Sequence, residues 1–190
     1  NMKAVSFTHL FARLAIEFKS FEENVRGGLL IRFKENDHKL NVLERLAFRP
    51  QPNKDNNDHN QHGNEVYLLE MIQLRKMNLI EKEDILQFGL IVGHSSFRPR
   101  RLRFLVKWCP QSLLQVNELG HLPLHHFVQK STLGFQTLFD YCIRYYPKMK
   151  GINLLFQQDN ADETPYQDAI QHFGRAKAME VVEEILTRYA

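Results

Sequence analysis

Residues 117–125, NELGHLPLH, have a counterpart in residues 159–167, DNADETPYQ. Each copy contains a polar turn, a small or apolar residue, a proline and the start of a predicted helix. The two copies lie 42 residues apart. Internal similarity at this spacing is typical of stacked-repeat proteins, which usually form binding surfaces and are seldom enzymes.

A stripe of apolar residues with helical spacing recurs along the same part of the chain. The first stripe is stopped by Pro110, and the second, 37 residues later, is stopped by Pro147. A third lies 43 residues beyond the second. The stripes are Leu102, Leu105, Val106 and Cys109; Phe139, Cys142, Ile143 and Tyr146; and Val182, Ile185, Leu186 and Tyr189. A helix cannot bury such a face alone, so neighbouring units must stack.

The turns and prolines predict how each unit begins. Pro123 and Pro165 are placed in the first turn of a helix, where the missing N–H costs nothing and φ is already helical. Thr164 is a suitable N-cap. Leu122, at the same place in the first copy, has no side-chain acceptor, so its cap must come from elsewhere or be missing.

These residues resemble the ankyrin repeat, whose signature is a Gly-x-Thr-Pro-Leu-His-x-Ala run. The first copy matches at Gly120, Pro123, Leu124 and His125, and the second at Thr164, Pro165 and Ala169. Leu122 and Phe127 depart from the pattern, as do Tyr166 and Gln167. The resemblance implies a divergent, all-α array of helical pairs with enlarged loops, because the family's usual repeat is about 33 residues. It also implies that His125 makes hydrogen bonds that hold the turn.

Three segments are predicted along the chain. Residues 1–48 form an N-terminal helical segment, residues 49–63 a polar, mobile loop, and residues 64–190 the ankyrin-like repeats. Residues 27–33 fit either a short extended piece or a buried connection. We interpret the chain as a fragment of a longer array. The first predicted helix is amphipathic, with a stripe of Phe7, Leu10, Phe11, Leu14, Ala15 and Phe18.

Composition sets the class of protein. The chain has 190 residues, of which 43% are hydrophobic and 25% charged, with a formal net charge of +3. These values are ordinary for a globular domain, and the charge is too small to demand an acidic partner. Its two cysteines, Cys109 and Cys142, form no CxxC pair, which favours a reducing, intracellular compartment. We expect no membrane span and no signal peptide.

No motif predicts catalysis, a cofactor or a metal, so we expect no enzyme. The Gly27-Gly28 pair lacks the spacing of a phosphate loop. His121, His125 and His126 are the densest histidine cluster, but no HExxH pattern or nearby cysteine supports zinc. His59 and His62 have helix-like metal spacing within a polar tract, where we do not expect a metal site.

The leading functional hypothesis is a non-catalytic module that binds a protein partner through turn residues. The four candidate contact residues are Glu118, His121, Asn160 and Asp162. The alternative is a nucleic-acid-binding module that uses the basic run RPRRLR at residues 98–103. We interpret that run as a solvated helix face. Several acidic residues on the later helices weaken the nucleic-acid hypothesis.

Overall fold

The computed structural model describes residues 7–21, 25–31, 33–35, 38–43, 57–87, 99–129 and 131–189. The chain divides into two compact units, Asn1–Asp84 and Ile85–Ala190. Helices dominate the described residues, and the prediction of a helical fold is confirmed. None of the helices in these ranges is long and apolar enough to cross a membrane.

Within its described residues the first unit contains two helices and a short β-ribbon, and a third helix crosses its boundary with the second unit. In chain order they are α1 (Thr8–Glu17), β1 (Phe33–Glu35), β2 (His38–Leu40), α2 (Asn57–Lys76) and α3 (Lys82–Gln87). The strands are antiparallel, with Phe33 opposite Leu40. The ambiguous residues before the ribbon form turns in which Gly27 and Gly28 have positive φ. A Cβ atom on Gly27 would overlap the carbonyl oxygen of Ala12, so this turn packs closely on α1.

A buried carboxylate joins α1 to α2. The backbone N–H of His9 donates to Glu70 Oε1 at 2.9 Å, and the His9 ring Nδ1 lies 3.0 Å from the same oxygen. Glu70 is buried. Helix α2 therefore belongs to the first unit, whereas the sequence interpretation placed residues from 64 onward with the repeats. The predicted amphipathic helix α1 is present, although most of its stripe is exposed.

Part of the predicted loop at residues 49–63 is helical in the structure. Helix α2 begins at Asn57, and residues 49–56 lie outside the described ranges. The last proline in this stretch is Pro52, so nothing beyond it removes a helical hydrogen bond. The polar start is continuous with a helix whose apolar side is buried at Tyr67, Met71 and Leu74. Tertiary packing of those three residues stabilises the helix, and this outweighs the weak helical preference of the polar residues at its start.

The second unit is a succession of helices with a single 3₁₀ turn in its described part. In chain order they are α4 (Pro99–Trp108), the 3₁₀ turn (Pro110–Leu114), α5 (Pro123–Val128), α6 (Thr132–Tyr145), α7 (Met149–Asn153), α8 (Pro165–Phe173) and α9 (Arg175–Tyr189). Pro110 and Pro147 follow the ends of α4 and α6, and Pro123 and Pro165 are the first residues of α5 and α8, as predicted.

Two helical pairs, α5–α6 and α8–α9, pack side by side. Helix α5 contacts α8, and α6 contacts α9. The core between the helices consists of fully buried aromatic and aliphatic residues: Phe127, Phe135, Leu138, Phe139, Ala169, Ala178 and Ile185. The extra residues predicted around Lys148 form α7, which packs against α6.

Candidate functional site

Two turns with the same geometry precede α5 and α8. In the first turn, residues 117–121, the N–H of Asn117 donates to the carbonyl four residues later at 3.1 Å. In the second turn, residues 159–163, the N–H of Asp159 does the same at 2.9 Å. Asn117 Oδ1 accepts from the N–H groups two and four positions later, at 3.0 and 2.9 Å. Asp159 Oδ1 accepts from the corresponding groups at 2.8 and 3.0 Å. The sequence similarity therefore corresponds to one turn built twice.

Each turn has one residue in the left-handed region, at equivalent positions. Gly120 has φ +77° and Asp162 has φ +61°. Asp tolerates this conformation better than most side chains. At Gly120 the space is also restricted, because a Cβ atom would lie 2.6 Å from Asn160 Oδ1. Only glycine fits there, since the second turn lies directly against the first.

Backbone and side-chain groups hold the two turns together. Asn160 N donates to the carbonyl of Leu119 at 3.1 Å, and Asn160 Nδ2 donates to the carbonyl of Glu118 at 3.0 Å. His121 Nε2 lies 2.9 Å from Asp159 Oδ2. These three contacts connect residues about 40 apart in the chain, so they order the two turns as one surface.

His125 connects the first helical pair to the second turn. Its Nδ1 accepts from the N–H of Leu122 at 2.9 Å, which supplies the cap that the Leu122 side chain cannot. Its Nε2 donates to the carbonyl of Glu163 at 3.3 Å. The two bonds select the neutral tautomer with the proton on Nε2. Burial lowers the pKa of His125, because a charged imidazole loses water there. The hydrogen bonds agree with the expectation that His125 holds the turn.

The second pair caps its helix differently. Thr164 Oγ1 accepts from the N–H of Gln167 at 3.2 Å, and Gln167 Oε1 accepts from the N–H of Thr164 at 2.9 Å. This is a reciprocal capping box, and it confirms Thr164 as an N-cap. Gln167 stands 42 residues after His125 and makes the same bond to the backbone. The first copy contains only that half of the box.

Three histidines lie in contact at the first turn. The rings of His121 and His125 stack with centroids 5.4 Å apart, and His126 meets His121 edge-on at 5.2 Å. The Nδ1 atom of His121 is buried and, within the described residues, has no hydrogen-bond partner. The described residues contain no group of three or more His, Cys, Asp or Glu side chains that could hold a metal ion. These three histidines stabilise the contact between the two turns by ring stacking and hydrogen bonds.

The four predicted contact residues come together but have different roles. Glu118 and Asp162 are exposed. His121 and Asn160 are engaged in the bonds between the turns. Sequence reasoning missed two neighbours, Leu119, which is 59% exposed, and Glu163, which is exposed as well. Leu119 could have been predicted as a contact residue, because it is an apolar residue at the tip of a polar turn.

The surface around the turns is acidic. Residues 115–129 and 157–173 contain no lysine or arginine. Exposed carboxylates are present at Glu118, Asp162 and Glu163. Arg144, a basic residue of this unit, lies on another helix, α6.

The basic run does not form one exposed row. Arg101 is 2% exposed, so the interpretation of the run as a solvated face is wrong at this residue. It lies on the same side of α4 as Leu105 and Trp108, four and seven residues later, and both are buried. Arg103 is exposed and its Nε donates to the Tyr141 hydroxyl at 3.3 Å. Arg98 lies outside the described residues.

A cavity of about 480 Å³ lies in the first unit, between α1 and the turns that follow it. Its lining is mostly apolar, with two hydroxyls and no titratable side chain: Thr8, Phe11, Ala12, Ala15, Ser20, Phe21, Gly27, Gly28, Leu29 and Val42. Its described lining therefore offers no acid or base to activate those hydroxyls, as a catalytic site would need.

Comparison of the chain with protein-family models, with curated proteins and with solved structures finds no significant match.

Proposed function

We propose that the chain is a divergent ankyrin-like array of helical pairs that binds a protein partner and performs no catalysis. The support is the repetition of one turn, one proline-started helix and one longer helix at residues 117–145 and 159–189. Units of this kind stack into extended surfaces that serve recognition.

The observation that carries the proposal is the ordered pair of turns. Asn160 and the His121–Asp159 pair hold the turns in one arrangement, while Glu118, Leu119 and Asp162 remain exposed. A preorganised surface loses little conformational entropy on binding. We define the turn surface as Glu118, Leu119, Asp162 and Glu163. It offers one apolar contact surrounded by carboxylates, which suits a partner segment with basic and apolar side chains.

Affinity capture from cells of the native host tests the proposal with two matched variants. The turn variant is Glu118→Lys/Asp162→Asn, which reverses one exposed charge and removes another without touching the bonds between the turns. Asparagine, like aspartate, tolerates the positive φ at position 162. The control is Glu83→Lys/Glu180→Lys, two exposed sites on α3 and α9. We expect the wild type and the control to retain the same specific partner and the turn variant to lose it. Equal capture by all three proteins, with unchanged circular dichroism, would refute the turn surface.

The nucleic-acid alternative rests on the basic run and is the weaker candidate. Burial of Arg101 removes a guanidinium from the row that a phosphate backbone would contact. A titration of RNA and DNA binding at several salt concentrations separates the two functions. Affinity that falls steeply with salt and is lost in Arg100→Ala/Arg103→Ala would favour nucleic acid over the proposed function.

A further inference from the structure

The helical pair α8–α9 is covered on one side by α5–α6. On that side, Glu184 Oε2 accepts from Gln136 Nε2 at 2.9 Å, and Arg188 Nη1 donates to Asp140 Oδ1 at 2.9 Å. Glu184 and Arg188 thus mark the face of α9 that meets α6.

The opposite side of the pair is also apolar, and among the described residues it stays partly exposed. Val182 and Leu186 precede Glu184 and Arg188 by two residues each, which places them about 200° around the helix. Both are half-exposed, and the neighbouring Met179 is 38% exposed. Helix α8 adds two half-exposed residues. We define the open face as Tyr166, Ile170, Met179, Val182 and Leu186.

The internal repeat indicates what kind of surface this is. Each of four open-face residues has an equivalent 42 or 43 residues earlier, and each equivalent is at most 5% exposed: Leu124, Val128, Phe139 and Ile143. Those equivalents lie on α5 and α6, the helices against which α8 and α9 pack. By the same register, the open face has the composition of an interface between helical pairs. Within the described part of the chain, the ring of Phe156 meets Tyr166 edge-on at 5.7 Å, and the rest of the face stays partly exposed.

The charges beside the open face are self-complementary. Arg175 and Glu183 stand four residues before and four after Met179, so the three share one stripe of α9. Both charged residues are exposed, and neither forms an ion pair with another described residue. If a second α9 crossed antiparallel with a two-fold axis at Met179, each Arg175 would face Glu183 of the second copy. A two-fold interface repeats such a contact twice.

We propose that the open face binds a second copy of this chain, with the two α9 helices antiparallel about Met179. Apolar contact between the open faces supplies the association, and the two Arg175–Glu183 pairs set the orientation. The turn surface takes no part in this contact, so dimer formation and partner binding are separable properties.

The oligomeric state of the full chain tests the proposal, by sedimentation equilibrium over a range of concentrations. We expect the wild type to dimerise and Met179→Glu to be monomeric, because two carboxylates would meet at the axis. Glu183→Arg, which places like charges opposite each other, should weaken the dimer about tenfold or more. The double variant Arg175→Glu/Glu183→Arg restores opposite charges and should restore the dimer.

A control charge swap away from the open face keeps the test specific. Lys177→Glu/Glu180→Lys exchanges an exposed ion pair on the same helix and should leave the dimer intact. Circular dichroism of every variant checks that the helices persist. The proposal is overturned if the wild type is monomeric, if Met179→Glu dimerises as the wild type does, or if the double charge swap fails to restore association that Glu183→Arg weakens.

Discussion

The Nε2 atom of His125 lies 3.3 Å from the carbonyl oxygen of Glu163, in the turn that begins the next helical pair. The other ring nitrogen accepts a bond from the backbone at Leu122. One neutral imidazole therefore caps its own helix and holds the neighbouring turn. Because both nitrogens are used in a single tautomer, adding a proton to Nδ1 breaks the bond to Leu122.

We expect the protein to become less stable as the pH falls, because His125 must then bind a proton. Its pKa in the folded protein is below the unfolded value of about 6.5, owing first to burial. The unfolded state thus binds more protons, so the contribution is full above about pH 6.5 and is lost as the pH falls through the folded pKa. Urea unfolding at several values between pH 5 and pH 8 measures it. His125→Gln, which imitates Gln167, should reduce this dependence, and an identical pH profile in the variant would contradict the assignment.

Gly120→Ala should destabilise the second unit by about 1–3 kcal/mol, because φ is +77° and the new Cβ atom would meet Asn160. The control is Asp162→Gly, at the equivalent position with φ +61°, where glycine relieves backbone strain. Thermal or urea unfolding compares the two. Equal loss of stability in both variants would mean that contact between the turns is not what requires glycine at position 120.

Thr164→Ala should lower the free energy of unfolding by about 1 kcal/mol, because α8 loses the acceptor for the Gln167 N–H. Thr187→Ala, on the exposed side of α9, is the matched control and should change stability by less than about 0.5 kcal/mol. The shift in the urea midpoint measures both. A neutral result at Thr164 would show that water replaces the cap without cost.

The two arginines of the basic run should respond differently to truncation. Arg101→Ala should cost about 2–3 kcal/mol, since Arg101 is 2% exposed and its side chain is buried on the same side of α4 as Leu105. Arg100→Ala, at an exposed position, should be close to neutral. Unfolding midpoints of the two variants make the comparison. Similar small effects would restore the interpretation of Arg101 as a surface residue.

In the second unit, the sequence predicted the features that depend only on neighbouring residues, such as helix starts and caps. Pro123 and Pro165 begin helices, and Thr164 caps one, because these preferences arise within a single turn of backbone. The start of α2 at Asn57 could not be foreseen in the same way. Its polar residues have no local preference strong enough to specify a helix, and distant apolar contacts decide the matter.

The candidate contact residues show the same division. The repeat predicted that these four residues lie close together, because equivalent turns of adjacent units are in contact. Their roles did not, since Asn160 is polar and exposed yet serves to bind the carbonyls of Glu118 and Leu119. Polar residue types in a turn do not reveal whether their hydrogen bonds go to water or to another turn.

The sequence by itself determined the helical class, the turns before Pro123 and Pro165, and the spacing between these two turns. It did so because capping, proline geometry and apolar spacing act over a few residues. Only the tertiary structure decided that Arg101 is buried and that His121 meets Asp159. It also distinguished the covered side of α9 from the open one. Burial and pairing between residues about 40 apart depend on how helices pack, and short-range preferences do not specify that packing.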